Sequence, residues 1–434
     1  MLRTIDLRGG LPDPAAIRAA LPRPAQDPAS VQGDVLALIE DVRTRGEAAL
    51  LEQADRFDGG RPPAVRVPVE EIRTAEQALP TEIRSALGIA IERVGAASRA
   101  QLSEPVTTRL GDGARVLQRW MPVRRVGLYV PGGRAVYPSS VVMNVVPAQT
   151  AGVRGIAVAT PAQRQFGGRA HPVILGAAGL LGVDEVYVMG GAGAIGAFAH
   201  GVPGIGLDPV DVITGPGNVF VAAAKRAVAG LVGIDSEAGP TEILVVADGS
   251  ASAELVAADL VSQAEHDVLA AAVLVTDSPE LARAVDEAVD RRAAATFHAE
   301  RVAISLQAQQ SGIVLVDDLA AAVVVSNAYA PEHLEVQTVD PWPLVAELTE
   351  AGAIFVGAAT PVSLGDYAAG SNHVLPTGGT ARFAAGLSVR PFIRQQQVVD
   401  YDLDALREAR PVVRALSDAE GLPAHGDAVD ARFS

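Results

Sequence analysis

A carboxylate and an imidazole stand side by side at Glu332 and His333, within the run Ala-Pro-Glu-His-Leu. Glutamate and histidine are among the side chains most often used for general acid–base catalysis, and here one backbone unit presents both. Pro331 fixes its own φ and disfavours helical backbone at Ala330, so we expect the pair to open a new element on a defined turn. The alternative is an exposed helix start whose first-turn carboxylate favours the helix dipole.

An amide and an imidazole follow near the end of a helix that we expect to begin at about Ser252. Gln263 and His266, in the run Ser-Gln-Ala-Glu-His-Asp, lie three residues apart on the face that carries the apolar residues. Buried polar side chains of this kind need partners. Two interpretations stay open, namely hydrogen-bonded core residues or the oxygen and nitrogen ligands of a metal ion.

A third polar group lies in residues 365–377, which are rich in glycine, serine and asparagine and contain Asp366 and His373. This segment follows a predicted strand, and α/β proteins bind ligands in the loops at strand ends. The alternative is a structural turn in which Asn and Asp side chains cap nearby amides. Further on, Glu420 and His425 taken alone are typical of a surface tail.

Two loops that contain glycine close β-like runs, Tyr-Val-Pro-Gly-Gly at 129–133 and Thr-Gly-Pro-Gly-Asn at 214–218. Such loops let the backbone come close to a phosphate or a ring. The sequence contains neither a Walker loop nor a His-Glu-x-x-His helix, so a nucleotide-hydrolysing P-loop and a zincin protease are excluded.

Gly191, Gly193 and Gly196 match the spacing of a dinucleotide-binding fingerprint after a predicted strand. Asp211 follows at about the distance expected for an acid that binds the ribose. The chain contains 43 glycines, so the match could also arise by chance.

Composition excludes several classes of protein. The 434 residues carry a net charge of −16, which argues against a nucleic-acid partner. No apolar run approaches the roughly 18 residues of a membrane helix, and the charged start does not resemble a signal peptide, so we expect a cytoplasmic protein. There is no cysteine, which excludes disulfides, thiolate metal sites and a catalytic thiol. An aldehyde could therefore be oxidised only after hydration.

The spacing of apolar residues predicts an α/β fold. Helical periodicity is present at 14–20, at 31–57 with a break at 45–46, and at 81–102. Short β-rich runs then follow at 126–130, 156–159, 186–189, 243–246, 273–275, 313–316 and 354–356. Runs bounded by Gly or Asp are typical of parallel sheets that are covered on both faces. Seven such strands favour two Rossmann-like α/β domains with parallel-rich sheets, an N-terminal arm and a small helical C-terminal domain.

The motifs taken in order resemble those of the histidinol dehydrogenase family over nearly the whole chain. The matching segments are 127–133, 215–218, 238–242, 262–266, 330–334, 365–367, 371–377 and the tail residues Glu420 and His425. The resemblance implies an oxidation of L-histidinol to L-histidine through bound histidinal, with one Zn²⁺ per subunit and NAD as cofactors. It also implies a homodimer with an active site shared between the subunits.

The resemblance assigns roles to individual residues of this chain. Glu332 and His333 are the implied catalytic residues. The implied ligands of zinc are Gln263, His266, Asp366 and, from the other subunit, His425. The implied substrate-binding residues are these four together with Thr241, His333 and Glu420. Tyr129 and Asn218 correspond to positions that bind NAD.

One position departs from the family pattern. The family commonly has Gln in the run Gly-Gly-Ala-Gln-Ala, where it contacts NAD, and here that residue is Gly193. The departure removes a side-chain amide from the expected NAD site, where Gly193 could contribute only its backbone.

Four parts of the chain are expected from the resemblance and the pattern together. They are an arm at 1–25, a larger α/β domain made of 26–125 and 243–379, an inserted Rossmann-like domain at 126–242, and a dimer-swapped helical domain at 380–434. Alternatives to this function are a dehydrogenase of another small polar alcohol on the same scaffold, a zinc hydrolase with Glu332 as its base, and a binding protein without activity.

Overall fold

A computed structural model describes residues 2–10, 13–24, 28–132, 136–237 and 239–434. Gly133, in one of the glycine loops, and Ala238, in the motif at 238–242, lie outside the described residues. Within the described residues, no helix is both long enough and apolar enough to cross a membrane.

The helices of the described chain are α1 (Pro14–Ala20), α2 (Gln32–Arg45), α3 (Glu47–Phe57), α4 (Val69–Gln77), α5 (Thr81–Ala100), α6 (Pro138–Thr150), α7 (Pro172–Leu180), α8 (Gly191–His200), α9 (Val219–Val228), α10 (Ala253–Ala264), α11 (Pro279–Ala295), α12 (Ala299–Gln307), α13 (Leu319–Tyr329), α14 (Pro341–Glu347), α15 (Val362–Tyr367), α16 (Leu403–Ala419) and α17 (Pro423–Asp430). The strands are β1 (Thr4–Asp6), β2 (Val106–Gly111), β3 (Ala114–Pro122), β4 (Arg125–Tyr129), β5 (Gly155–Thr160), β6 (Glu185–Val188), β7 (Val212–Thr214), β8 (Gly233–Ile234), β9 (Glu242–Ala247), β10 (Ala271–Thr276), β11 (Gly312–Leu315), β12 (His333–Gln337), β13 (Ala353–Val356) and β14 (Ile393–Tyr401).

A six-stranded sheet has the strand order β1-β11-β10-β9-β12-β13, and every pair in it is parallel. Helices α10, α11 and α12 cover one face, and α1, α13 and α14 cover the other. Because both faces are buried, the central strands are almost continuously apolar. This explains why their positions could be predicted from the sequence.

A five-stranded parallel sheet has the order β6-β5-β4-β7-β8. Helices α2, α3, α8 and α9 pack on one face, and α4 to α7 pack on the other. The two parallel sheets confirm the expected α/β class with two Rossmann-like units, and all seven predicted strands are present. The boundaries expected for the four domains stay predictions.

A third sheet, which is antiparallel, has the order β14-β3-β2. It joins the C-terminal segment to the body of the protein, because β14 pairs with β3 along its whole length. The prediction of a helical C-terminal domain at 380–434 is therefore wrong in part, because this segment also contains the strand β14. Helices α16 and α17 follow β14 and pack against each other.

The two parallel sheets present opposite strand ends to the same space. Strands β4 and β7 lead into this space at their carboxyl ends, through Tyr129 and the loop at 215–218. Strands β9 and β12 begin there, at Glu242 and His333. Side chains that are far apart in sequence therefore meet between the sheets.

Candidate active site

The turn that carries Glu332 and His333 is the most constrained backbone near this space. Helix α13 ends at Tyr329, and Ala330 takes a left-handed conformation with φ 53°, the only non-glycine residue among those described with a positive φ. A left-handed residue with a Cβ is strained and persists only where its surroundings hold it. Strand β12 then begins at His333, so the pair does open a new element, and the interpretation as an exposed helix start is wrong.

Glu332 is buried, with 6% of its surface exposed. One carboxylate oxygen, Oε2, accepts hydrogen bonds from Thr241 Oγ1 (2.7 Å) and from the backbone N–H of Glu242 (2.9 Å). Burial raises the pKa of Glu332 well above its ordinary value, although these two donors oppose the shift. Because both donors bind Oε2, the other oxygen is left for a ligand in the cavity.

His333 is oriented by the same backbone segment. Its Nδ1 lies 3.0 Å from the carbonyl oxygen of Glu242, which can only accept, so Nδ1 carries the hydrogen and Nε2 is the basic nitrogen. Burial lowers the pKa of His333, and the nearby carboxylate of Asp366 opposes that shift. Burial therefore favours the neutral ring, in which the 3.4 Å approach of Nδ1 to Glu332 Oε2 is not an ion pair.

A hydrogen-bonded chain links the end of α10 to Glu332. Gln263, which is 2% exposed, donates from Nε2 to Thr241 Oγ1 (2.6 Å), and Thr241 donates in turn to Glu332. The carbonyl oxygen of Gln263 therefore points away from Thr241. His266 follows just after the end of the helix and lines the cavity.

Gln263, His266 and Asp366 offer an amide oxygen, an imidazole nitrogen and a carboxylate, a donor set that suits Zn²⁺ without sulfur. Desolvation lowers the pKa of His266, which favours the neutral ring that binds metals, and the charge of Asp366 acts on it in the opposite direction. No group of three or more His, Cys, Asp and Glu side chains among the described residues could hold a metal. The assignment of Gln263, His266 and Asp366 as zinc ligands therefore stays a prediction.

His373 is brought to the same cavity but is held by protein partners on both ring nitrogens. Nε2 lies 2.9 Å from Ser140 Oγ, and Nδ1 lies 3.0 Å from the backbone carbonyl of Asp366. Burial lowers the pKa of His373. His373 therefore has the structural role in this loop that the structural-turn interpretation expects. Asp366, in contrast, faces the cavity from α15.

The glycine loops form the opposite wall. Tyr129 is at the carboxyl end of β4, and its hydroxyl accepts from the backbone N–H of Gly191 (3.3 Å). Asn218 caps α9, because its side-chain oxygen accepts from the N–H groups of Phe220 (3.0 Å) and Val221 (3.2 Å). This leaves the amide N–H groups of the exposed Asn218 for a ligand.

Gly193 does not line the cavity. It lies inside α8, where an added Cβ would come within 2.2 Å of Gln53 Oε1 on α3. A Cβ on Gly196 would contact Ile39 of α2 at 3.2 Å. These glycines of the formal fingerprint therefore permit close packing of helices, and any contact of Gly193 with NAD stays a prediction.

Asp211 has a structural role, so the expectation of a ribose-binding acid is wrong. It lies before β7, at the amino end of the strand and away from the cavity. Its carboxylate accepts from the backbone N–H of Arg124 (2.8 Å) and of Arg125 (3.2 Å). Spacing alone suggested the assignment, and spacing does not distinguish the two ends of a strand.

The cavity between the sheets has a volume of about 570 Å³. Its lining includes the residues Tyr129, Asn218, Thr241, His266, Glu332, His333, Asp366 and His373. Glu420 and His425 do not line it in this chain, because they lie on the C-terminal helices, which pack mainly on each other.

A model of the histidinol dehydrogenase family matches residues 21–433 of this chain. The chain belongs to the histidinol dehydrogenase family. The histidinol dehydrogenase of Leifsonia xyli is 61% identical over 432 residues, covering 100% of this chain and 99% of that protein. The Thermobifida fusca protein of the same name is 56% identical over 433 residues, covering 100% and 98%. The crystal structure of histidinol dehydrogenase from Elizabethkingia anophelis has a TM-score of 0.92 at 32% identity, covering 100% of this chain and 98% of that one.

Histidinol dehydrogenases are oxidoreductases of histidine biosynthesis that use Zn²⁺ and NAD, so the expected enzyme class and cofactors are confirmed. The alternatives of a zinc hydrolase and of a binding protein without activity gain no support from these comparisons.

Several residues of the site were not identified from the sequence. The backbone of Glu242 orients both Glu332 and His333, and its side chain binds Arg23 of the N-terminal segment. Lys225 and Asp235 are buried and hold the loop at Gly215. The signal available was a charged residue inside an apolar run, as at Lys225 after three alanines and at Glu242 before Ile-Leu-Val-Val.

Proposed function

We propose that this chain oxidises L-histidinol to L-histidine at the cavity between its two parallel sheets, through histidinal that stays bound. The observation that carries the proposal is the arrangement of Glu332 and His333. Each is buried, each is held by the backbone of Glu242, and each presents one unengaged atom to the cavity. Two adjacent bases of this kind suit a reaction with two proton removals and one water addition.

His333 is the base for the first oxidation. Its Nε2 takes the hydroxyl proton of the alcohol, and bound NAD would supply the acceptor for the hydride of the carbinol carbon. A neutral ring is required, and burial of His333 favours that form. The hydrogen bond from Nδ1 to Glu242 fixes the tautomer and spreads the charge that develops on the ring.

Glu332 is the base for the hydration step. Its free carboxylate oxygen takes a proton from water as the water oxygen attacks the aldehyde carbon. The pKa of Glu332, which burial raises, makes it a stronger base than an exposed carboxylate. Once the proton taken in the first oxidation has left Nε2 of His333 for solvent, the neutral ring accepts the hydroxyl proton of the hydrate as the second hydride leaves. The chain has no cysteine, so a thiohemiacetal cannot replace the hydrate.

Gln263, His266 and Asp366 are the proposed ligands of Zn²⁺ in this chain, with His425 of the partner subunit as the fourth. Bound zinc would orient the nitrogen atoms of the substrate and keep histidinal from leaving. Tyr129 and Asn218 are the proposed contacts of NAD, which supplies the hydride acceptor.

A homodimer is proposed because the site lacks two of its expected residues. Glu420 follows α16 and His425 is on α17, and neither residue lines the cavity of its own chain. The same segment exposes large apolar side chains, including Val412 (61%) and Leu416 (58%). A second copy that covers this face would bury the apolar side chains and bring Glu420 and His425 to the neighbouring cavity. A cytoplasmic location and the absence of nucleic-acid and membrane partners stay predictions.

The test is to supply the purified protein with Zn²⁺, NAD and L-histidinol and to count NADH formed per histidinol consumed. We expect two NADH. One NADH per histidinol would mean that the reaction stops at the aldehyde, and no NADH would refute the proposal. A sulfonated diol supplied in parallel tests the alternative of another small polar alcohol, and faster turnover of the diol would favour it.

A further inference from the structure

Arg23 of the N-terminal segment reaches both the side chain of Glu242 and the backbone just before the catalytic pair. Its guanidinium donates to both carboxylate oxygens of Glu242, from Nε to Oε2 (2.7 Å) and from Nη2 to Oε1 (3.1 Å). Nη2 also donates to the carbonyl oxygens of Tyr329 (2.6 Å) and Ala330 (3.3 Å). The guanidinium carbon lies 3.9 Å from the centre of the Tyr329 ring.

The carboxylate of Glu242 is held on all sides. Besides Arg23, Oε2 accepts from the Tyr329 hydroxyl (2.9 Å) and Oε1 accepts from the backbone N–H of Gly378 (3.0 Å). The side chain of Glu242 is 2% exposed, whereas that of Arg23 is 20% exposed. A bidentate arginine fixes the orientation of a carboxylate as well as its charge. Glu242 is therefore immobilised at the first position of β9.

The backbone of Glu242 is the part that the catalytic residues contact. Its N–H binds Glu332 Oε2, and its carbonyl binds His333 Nδ1. On the other side, the carbonyls of Tyr329 and Ala330 immediately precede Pro331 and Glu332. Arg23 thus joins the two segments whose separation sets the position of Glu332 and His333, and one of these segments contains the left-handed Ala330.

We propose that Arg23 is a positioning residue for catalysis, which fixes the Glu332–His333 turn against the start of β9 through the side chain of Glu242. The inference rests on the proposed function for the roles of Glu332 and His333. Arg23 acts indirectly, because it binds Glu242, Tyr329 and Ala330 and not the catalytic side chains. A displacement of about 1 Å in a catalytic group can cost about 100-fold in rate.

The test compares Arg23→Lys and Arg23→Met with the wild type. Lysine keeps the charge but cannot bridge both oxygens of Glu242 and two carbonyls in one plane. We expect kcat to fall about tenfold in Arg23→Lys and about 100-fold in Arg23→Met, with the KM values for histidinol and NAD within about threefold. If Arg23 only stabilised the fold, its substitution would lower the melting temperature without lowering kcat at unchanged KM.

Arg18→Met is the matched control. Arg18 is on the same N-terminal segment and lies 3.5 Å from the carbonyl oxygen of Ala328 on the same helix α13, but it does not contact Glu242. We expect its kcat to stay within twofold of wild type. Because Arg23→Met leaves Glu242 buried without its cation, the double variant Arg23→Met/Glu242→Gln removes the stranded charge. The kcat of this double variant should be no lower than the lower of the two kcat values of Arg23→Met and Glu242→Gln, because both substitutions break the same Arg23–Glu242 linkage.

A second readout does not depend on turnover. The imidazole ¹⁵N signals of His333, assigned by their absence in His333→Asn, report which ring nitrogen carries the hydrogen. We expect the Nδ1–H tautomer in the wild type and a mixture of tautomers in the Arg23 variants. If the wild type has no activity, the proposed function is refuted. The tautomer of His333 then decides by itself whether Arg23 positions the Glu332–His333 turn. Unchanged kcat and an unchanged tautomer in both Arg23 variants would overturn the inference, whatever their stability.

Discussion

At the scale of single residues, the adjacency of Glu332 and His333 in the chain made them visible as a candidate pair. The residues that orient them were not visible in the same way. Arg23 and Glu242 are 219 positions apart and meet because α1, which precedes Arg23, packs on α13, and α13 packs on β9. Sequence spacing predicts which side chains share a short element, but not which distant backbone supplies their hydrogen bonds.

Glu332→Gln tests the division of labour within the pair. The amide keeps the shape of the side chain but cannot accept a proton, so the hydration step should fail while His333 still serves the alcohol. We expect oxidation of supplied histidinal to fall by about 10³-fold and oxidation of histidinol to histidinal to fall less than about tenfold. Single-turnover measurements of each half-reaction check this, and equal losses in both would contradict the assignment.

Glu335 gives a prediction about stability and pH. It is 1% exposed on β12, and burial, followed by the neighbouring Asp259 carboxyl, raises the pKa of Glu335 to about 9. A carboxyl whose pKa is raised by folding binds its proton more tightly in the folded state than in the unfolded state. The contribution of protonated Glu335 to the free energy of unfolding is fully present below the unfolded pKa of about 4.5, and it is lost as the pH rises towards 9.

Glu335→Gln should therefore become more stable relative to the wild type as the pH increases from 5 to 9, by at most about 1.4 kcal/mol per pH unit. Urea unfolding at several pH values measures the difference. Glu347→Gln, at an exposed position of α14, is the control and should show no such trend. A constant difference between Glu335→Gln and the wild type across this range would show that Glu335 is not protonated in the folded protein.

At the scale of elements, buried parallel strands could be predicted, because both of their faces are covered and their sequences are continuously apolar. The antiparallel sheet could not be predicted from the same signal, since all residues of β2 are exposed and β14 is rich in glutamine. The pair Asp112-Gly113 between β2 and β3 is a hairpin signal that would have identified two of its strands.

The loop at 215–218 depends on a buried ion pair. Lys225 donates to the carbonyl of Gly215 (3.1 Å) and pairs with Asp235, which accepts from the N–H of Gly215 (2.8 Å). Gly215 has φ 119°, and a Cβ there would lie 2.0 Å from the carbonyl oxygen of Tyr129. The ion pair therefore holds the backbone in a conformation and a packing that only glycine permits.

Lys225→Met should raise the KM for NAD about tenfold and leave the KM for histidinol nearly unchanged, because this loop ends at Asn218, a proposed contact of NAD. It should also cost about 3–5 kcal/mol of unfolding free energy, since Asp235 is left buried without its cation. Lys225→Met/Asp235→Asn separates the two effects by removing that charge. Arg226→Met, a change to an exposed ion pair on the same helix, is the control. An unchanged KM for NAD in both Lys225 variants would argue against a role of the loop in NAD binding.

At the scale of the whole molecule, the sequence singled out many of the residues that line the cavity, but not how the fold brings them together. The motifs indicated Gln263, His266 and Asp366, and the fold brings the cavity walls together from opposite strand ends of two sheets. Glu420 and His425 stay outside the cavity of their own chain, which a single sequence could suggest only through a family resemblance.

The central claim is that this cavity becomes an active site when the tail of a second copy completes it. Mixing Glu332→Gln chains with His425→Asn chains tests it most directly, because each homodimer lacks one essential residue at both sites. After full exchange, a mixed dimer has one intact site, so activity should return to about a quarter of the wild-type level. No recovery after exchange confirmed by mass spectrometry would mean that each chain builds its site alone, and the account would be wrong.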